Sequence, residues 1–329
     1  MSTHPFPQLD PQTIRQLLAS EQEVALIDIR EAGEYGVGHA LLAVNLPWSQ
    51  LEVRAVATLP RRDVLIIIQD DVGGVRAERA AARLRELGYS EVTIARGGVE
   101  AWQPLFHGVN VPSKAFSEWI EREAHTPTIS AATLHQWQQS GKPHWLLDGR
   151  TPEEFRQFHI PGAINVPNGE LIPWLSEHAI SADEPVVITC AGRTRGIIGA
   201  QALRDAGFQH RIVALAGGTQ AWRIAELPVQ PDPAHQFKVR HALQSATLLD
   251  DAQIPVIDAA QLAQWQADTQ RTTYIFDVRS REEFIQGSVA GAIWVPAGQL
   301  IQTLDEYASI RKARLVLFDP HQARARFSG

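Results

Sequence analysis

The chain of 329 residues holds one cysteine, Cys190. A single cysteine excludes an intramolecular disulfide framework and any cysteine-rich zinc site. An excess of positive charge is also missing: 30 Lys and Arg stand against 37 Asp and Glu, for a formal net charge of −7. That balance argues against a general nucleic-acid or anionic-membrane surface, while leaving room for a local positive pocket. No apolar run approaches the roughly 18–20 residues needed to span a bilayer. The opening MSTHPFPQLD has no basic segment followed by an apolar one, so no signal peptide is expected. The 12 histidines show no metal-ligand spacing, and neither a metal nor a cofactor is expected. Together these absences lead to the expectation of a cytoplasmic chain in a reducing compartment.

The composition, 44% hydrophobic and 20% charged, is that of a globular protein, and the length suggests two or three domains. Three segments line up: LIDIREAGEYGVGHALLAVNLP from Leu26, LLDGRTPEEFRQFHIPGAINVP from Leu146 and IFDVRSREEFIQGSVAGAIWVP from Ile275. Each carries Asp-x-Arg (Asp28/Arg30, Asp148/Arg150, Asp277/Arg279), then Glu and an aromatic, then an apolar stretch closing on Pro. LGYSEVTIARGGVEAW in the first repeat is matched by AGFQHRIVALAGGTQAW in the second. A period near 120 residues is too long for a solenoid, so these are tandem domains.

Within a repeat, β-rich runs (Leu26–Ile29, Val64–Ile68 and Val92–Ala95; Trp145–Leu147, Val186–Thr189 and Ile212–Leu215) are separated by helical stretches. ERAAARLRELG and IIGAQALRDAG read as helices stopped by Gly88 and Gly207. DPQTIRQLLAS and SAATLHQWQQSGK read as opening helices, the second with Ser130 as N-cap. Such alternation predicts parallel strands covered by helices on both faces, an α/β fold. The expected boundaries are 1–112, 128–230 and 254–329, with linkers at 113–127 and 231–253. The amphipathic SKAFSEWIEREA allows an ordered helix in the first linker. The third repeat stops ten residues after its loop begins, at Pro320–Gly329, which leads to the expectation of an incomplete repeat in a fragment of a longer protein.

Cys190 closes an apolar strand, and the loop CAGRTR leads into a helix beginning near Arg195 or Gly196. A thiol there meets the aligned N–H groups of a helix start, and a turn through Gly192 can aim further N–H groups inward. Arg193 and Arg195 add positive charge, although the sequence does not say which of them points inward. All of these influences favour thiolate, so a lowered pKa is expected.

With Asp148-x-Arg150, EEF, HIPGAINVP (His159–Pro167), the Cys190 loop and LAGGTQAW (Leu215–Trp222) in place, the chain resembles the rhodanese superfamily of sulfurtransferases. The resemblance covers most of the first two repeats and the front of the third. It implies tandem rhodanese-like domains, each a five-stranded parallel sheet sandwiched by helices. It further implies Cys190 as the persulfide-carrying nucleophile, with Ala191, Gly192, Arg193, Thr194, Arg195 and Gly196 as the cradle. The substrates implied are a small sulfur donor such as thiosulfate and a cyanide or thiol acceptor. No nucleic acid or membrane is expected as partner, and homo-oligomerisation is left open. One departure is Phe158 before His159, where relatives commonly carry Gly.

Helix alignment sets Asp71 and Asp319 opposite Cys190, each followed at the same distance by an arginine (Arg76, Arg195, Arg324). A carboxylate cannot accept sulfane sulfur, so the first and third repeats are expected to be silent. The recurrence of Asp148 and Arg150 in those repeats marks them as structural support, with Arg150 expected to pair with a carboxylate such as Glu154 at the strand end, and His159 is read the same way. Two other functions remain open: a non-catalytic scaffold or regulatory module, and phosphatase or arsenate-reductase chemistry. The second is disfavoured because four residues, not five, separate Cys190 from Arg195.

Overall fold

The computed structural model describes residues 5–108, 111–236 and 254–329. In the first repeat the strands are β1 (Gln8–Leu9), β2 (Val24–Asp28), β3 (Val44–Asn45), β4 (Leu65–Gln69) and β5 (Val92–Ala95). They form one parallel sheet in the order β1-β5-β4-β2-β3. The second repeat builds the same sheet from β6 (Thr128–Ile129), β7 (Trp145–Asp148), β8 (Ile164–Asn165), β9 (Val186–Thr189) and β10 (Ile212–Leu215). Its order is β6-β10-β9-β7-β8, again parallel. The third repeat supplies a smaller sheet, β12-β11-β13, from β11 (Thr273–Asp277), β12 (Ile293–Trp294) and β13 (Arg314–Phe318).

Covering both faces requires the central strands to be apolar on both sides. VALID in β2 and VVIT in β9 are accordingly buried at every position. The covering helices follow local rules. Asp10 caps Pro11–Ala19 by accepting from the N–H groups of Gln12 and Thr13, and Ser130 caps Ala131–Ser140 by accepting from that of Thr133. Gly88 and Gly207, at φ +92° and +82°, end the helices Val75–Glu86 and Thr194–Asp205 with a left-handed residue. The stretch expected as the first linker contains a helix, Val111–Ala124, and the second expected linker lies largely outside the described residues.

By packing, the chain divides into two compact units rather than three. The first comprises 1–112, 257–274 and 303–316, and the second 113–256, 275–302 and 317–329. Each unit therefore contains one five-stranded sheet together with part of the third repeat. No helix among the described residues is long and apolar enough to cross a membrane.

Candidate active site

β9 delivers Cys190 to the C-terminal edge of its sheet, and the helix Thr194–Asp205 begins four residues later. The thiol is 2% exposed, and the Gly196 N–H donates to its Sγ at 3.3 Å. The loop backbone is held from behind by the Gly217–Gly218 turn. Thr219 donates to Cys190 O from both its N–H (2.8 Å) and its hydroxyl (3.0 Å), and the Gln220 N–H donates to Ala191 O (2.8 Å). Gly218, at φ +54°, has to be glycine, because a Cβ there would lie 2.2 Å from Gly192 O and 2.4 Å from Cys190 O. The double glycine therefore supports the loop from below.

The two loop arginines point different ways. Arg195 is buried and pairs bidentately with Glu154, Nη1 to Oε2 at 2.7 Å and Nη2 to Oε1 at 2.6 Å. Glu154 also closes the capping box of the helix Pro152–Gln157 by accepting from the Thr151 N–H at 3.0 Å. Burial works upward on the Glu154 carboxyl, but Arg195 and the Thr151 N–H more than offset it, leaving its pKa below the ordinary value. Arg193 is half exposed and is engaged by Glu121 and, at 3.6 Å, by Glu118 of the helix Val111–Ala124.

The expected fall in the Cys190 pKa does not occur. Burial pushes the thiol upward, and the Arg195 charge with the Gly196 and Gly192 N–H groups opposes that rise without overcoming it. The stabilising groups are legible in the sequence, but how completely the sulfur is removed from water is not.

The supporting residues also differ in detail from expectation. Arg150 pairs with Asp148, not Glu154: its Nε and Nη2 donate to the carboxylate at 2.7–3.1 Å, and Nη2 also donates to Phe158 O at 2.7 Å. The partner two residues away is already level with Arg150 at the strand end, whereas Glu154 is taken by Arg195. Arg30 and Arg279 make the same pair with Asp28 and Asp277. His159 is buried, stacks on Phe155 at 3.9 Å between ring centroids and meets Gln230 Nε2 at 3.1 Å.

Asp71 lies one position past the residue that corresponds to Cys190. Strand pairing sets Asp28 opposite Gln69 and Asp148 opposite Thr189, so the next residues, Asp70 and Cys190, correspond. The glycine turns agree: the Val99 N–H donates to Asp70 O at 2.9 Å, as that of Thr219 does to Cys190 O. Arg76 matches Arg195, because it pairs with Glu34 at 2.8 Å as Arg195 pairs with Glu154. The first repeat's loop is therefore one residue longer, with five residues between Asp70 and Arg76. The Asp70 carboxylate accepts from the N–H groups of Val72 (3.1 Å), Gly73 (2.5 Å) and Ala77 (3.0 Å), and so takes the place of the sulfur. Asp71 instead pairs with Arg76. Asp319 does correspond to Cys190, because the Val278 N–H donates to Phe318 O (3.3 Å) as that of Gly149 does to Thr189 O (2.9 Å). Its carboxylate accepts from the His321 and Arg324 N–H groups at 3.2 and 2.9 Å.

Thr219, Glu118, Glu121 and Asn168 were not among the sequence candidates. Asn168 Nδ2 donates to Arg195 O at 2.8 Å. For Asn168 the sequence signal is comparison of the repeats, which places Trp48 and Ala297 where Asn168 stands; Glu118 and Glu121 lie between the repeats and have no such signal.

The crystal structure of thiosulfate sulfurtransferase from Pseudomonas aeruginosa is similar, with a TM-score of 0.93 and 40% identity. The match covers 98% of this chain and 63% of that one, so the chain spans less than two thirds of its relative's length. A sulfurtransferase of Allochromatium vinosum is 34% identical over 95 residues, 29% of this chain and 86% of that protein. The chloroplastic thiosulfate sulfurtransferase 16 of Arabidopsis thaliana is 32% identical over 123 residues, 34% of this chain and 99% of the relative. The rhodanese-like domain family matches residues 10–104, 130–225 and 258–328. With three matches spread over most of its length, the chain belongs to the rhodanese-like domain family.

Proposed function

We propose that the chain is a sulfurtransferase acting through a persulfide on Cys190. The observation that carries this reading is the placement of the one sulfur nucleophile at a strand end, against the Gly196 N–H in the first turn of a helix. In the first half-reaction the Cys190 thiolate attacks the outer sulfur of thiosulfate. A new S–S bond forms, the S–S bond of thiosulfate breaks, and sulfite departs with the electron pair. In the second, a thiolate or cyanide attacks the outer sulfur of the persulfide and the Cys190 thiolate is regenerated. Sulfite is stable as it leaves, so the first step demands no general acid, and the loop contains none.

The cradle in this reading is Ala191, Gly192, Arg193, Thr194, Arg195 and Gly196, with Asp148, Arg150 and His159 as support. The first and third repeats are silent, since Asp70 and Asp319 each place a carboxylate where the persulfide would form. The four-residue spacing from Cys190 to Arg195 favours a sulfur atom over a phosphoryl group. The same similarity to sulfurtransferases favours turnover over a purely scaffolding role. A thiosulfate:cyanide assay on wild type and Cys190→Ser tests the proposal: thiocyanate forms with the first and not with the second. Equal activity in both would remove Cys190 from the reaction.

A further inference from the structure

Asn168 opens the short turn Asn168–Glu170 after β8, 2% exposed. Its Nδ2 donates to Arg195 O at 2.8 Å, and the N–H of the same peptide group, that of Gly196, donates to Cys190 Sγ at 3.3 Å. A trans peptide sends its C=O and N–H in opposite directions, so Asn168 and the sulfur lie at the two ends of one rigid dipole. Donation to the carbonyl fixes the peptide plane and polarises the amide, making its N–H a stronger donor.

The surroundings are shaped for this side chain. A Cβ on Gly149 would lie 1.9 Å from Asn168 Oδ1, and one on Gly199 would lie 3.0 Å from it. Among the described residues Oδ1 itself has no hydrogen-bond partner, and the reversed amide would set it against Arg195 O, so the Nδ2 bond is what a buried amide gains here. The other repeats lack the arrangement. Trp48 and Ala297 make the backbone bond that corresponds to Asn168 N to Gly149 O, donating to Ile29 O and Val278 O respectively. Ala80 occupies the place of Gly199 in the first repeat, three residues after Ala77 as Gly199 is after Gly196. The amide and its two glycines thus accompany the thiol and are absent where an aspartate replaces it.

We infer that Asn168 is a positioning residue for the Cys190 thiolate, acting through the Arg195–Gly196 peptide, an inference that rests on Cys190 being the reacting group. The charged groups facing the sulfur are Arg195, from the helix, and Asp148, from the end of β7, with Arg195 held by Glu154. Asn168→Ala alters none of them. Alanine fits the turn, since Ala297 occupies this place in the third repeat.

The test is the pH profile of Cys190 alkylation by iodoacetamide in the full chain, read by mass alongside the melting temperature. In Asn168→Ala the midpoint moves up by about half a pH unit, roughly a threefold slower reaction at fixed pH below it. Gly199→Ala, whose Cβ would meet Leu171 Cδ1 at 2.7 Å and Asn168 Oδ1 at 3.0 Å and so crowds the amide without removing it, moves the midpoint in the same direction and decides the matter if Asn168→Ala does not fold. An unmoved midpoint in folded variant overturns the inference, whether the melting temperature falls or the high-pH plateau changes. Alkylation needs no sulfur donor, so a shifted midpoint with no sulfur taken from thiosulfate would uphold the role of Asn168 while removing the proposed reaction.

Discussion

At the scale of the residue, the behaviour of Cys190 is a competition between desolvation and a small set of donors. Burial wins in the free protein and the thiol pKa is raised. Below a raised pKa the thiol is neutral, and each pH unit upward gives about ten times more thiolate. Alkylation and sulfur uptake by the wild type should therefore keep rising through about pH 8.5, the ordinary cysteine midpoint, without a plateau. A plateau already reached near neutrality, read from alkylation rates by mass, would mean that the cradle outweighs burial. This balance was legible only on one side. The glycine turn, the helix start and the basic residues stand in the sequence, but the depth of the sulfur depends on what packs around the loop. Arg150 makes the same point: its type and spacing were readable, yet its partner was decided by which carboxylate the strand end set beside it.

At the scale of the element, strand–loop–helix units repeat closely enough for the chain to serve as its own comparison. The strands β5, β9 and β10 fall where the apolar runs placed them, because a buried parallel strand leaves a contiguous signature. The loops were less legible. Two aspartates, Asp70 and Asp71, are adjacent in the first loop, and arginine spacing set the second opposite Cys190. Strand pairing chose the first, which revealed the extra loop residue. The helix Val111–Ala124 adds a feature that no repeat predicted: Glu118 and Glu121 engage Arg193 of the Cys190 loop. Removing both charges in Glu118→Gln/Glu121→Gln should free Arg193 for an anionic donor. KM for thiosulfate should then fall about threefold with kcat little changed, the size expected of exposed ion pairs. An unchanged KM would show that Arg193 does not meet the donor.

At the scale of the whole molecule, three repeats make two packing units, and the second unit draws on two of them. Within that unit Arg324, from the third repeat, donates to Glu170, from the second, at 2.5 and 3.3 Å, with Glu283 at 3.4 Å. Glu170 is almost fully buried; burial raises its pKa, and Arg324 opposes the rise. Arg324→Met would leave that carboxylate without its cation, at a cost of about 3–5 kcal/mol. The variant's Glu170 would bind its proton more tightly folded than unfolded, so stability present at low pH is lost as pH rises through the folded pKa. The melting-temperature deficit of Arg324→Met should therefore shrink between about pH 8 and pH 5. A deficit independent of pH would place the damage in packing instead. Tandem organisation was readable from Asp-x-Arg and the glycine turns, but the sharing of the third repeat was not, because it depends on contacts far apart in the chain.

In the proposed reaction one repeat carries the sulfur and the other two cannot. This division is tested most directly by the intact mass of the full chain after thiosulfate treatment and removal of small molecules. Wild type should gain one sulfur atom, lost on addition of cyanide and absent in Cys190→Ser. No adduct on wild type from thiosulfate, or an equal adduct on Cys190→Ser, would contradict it.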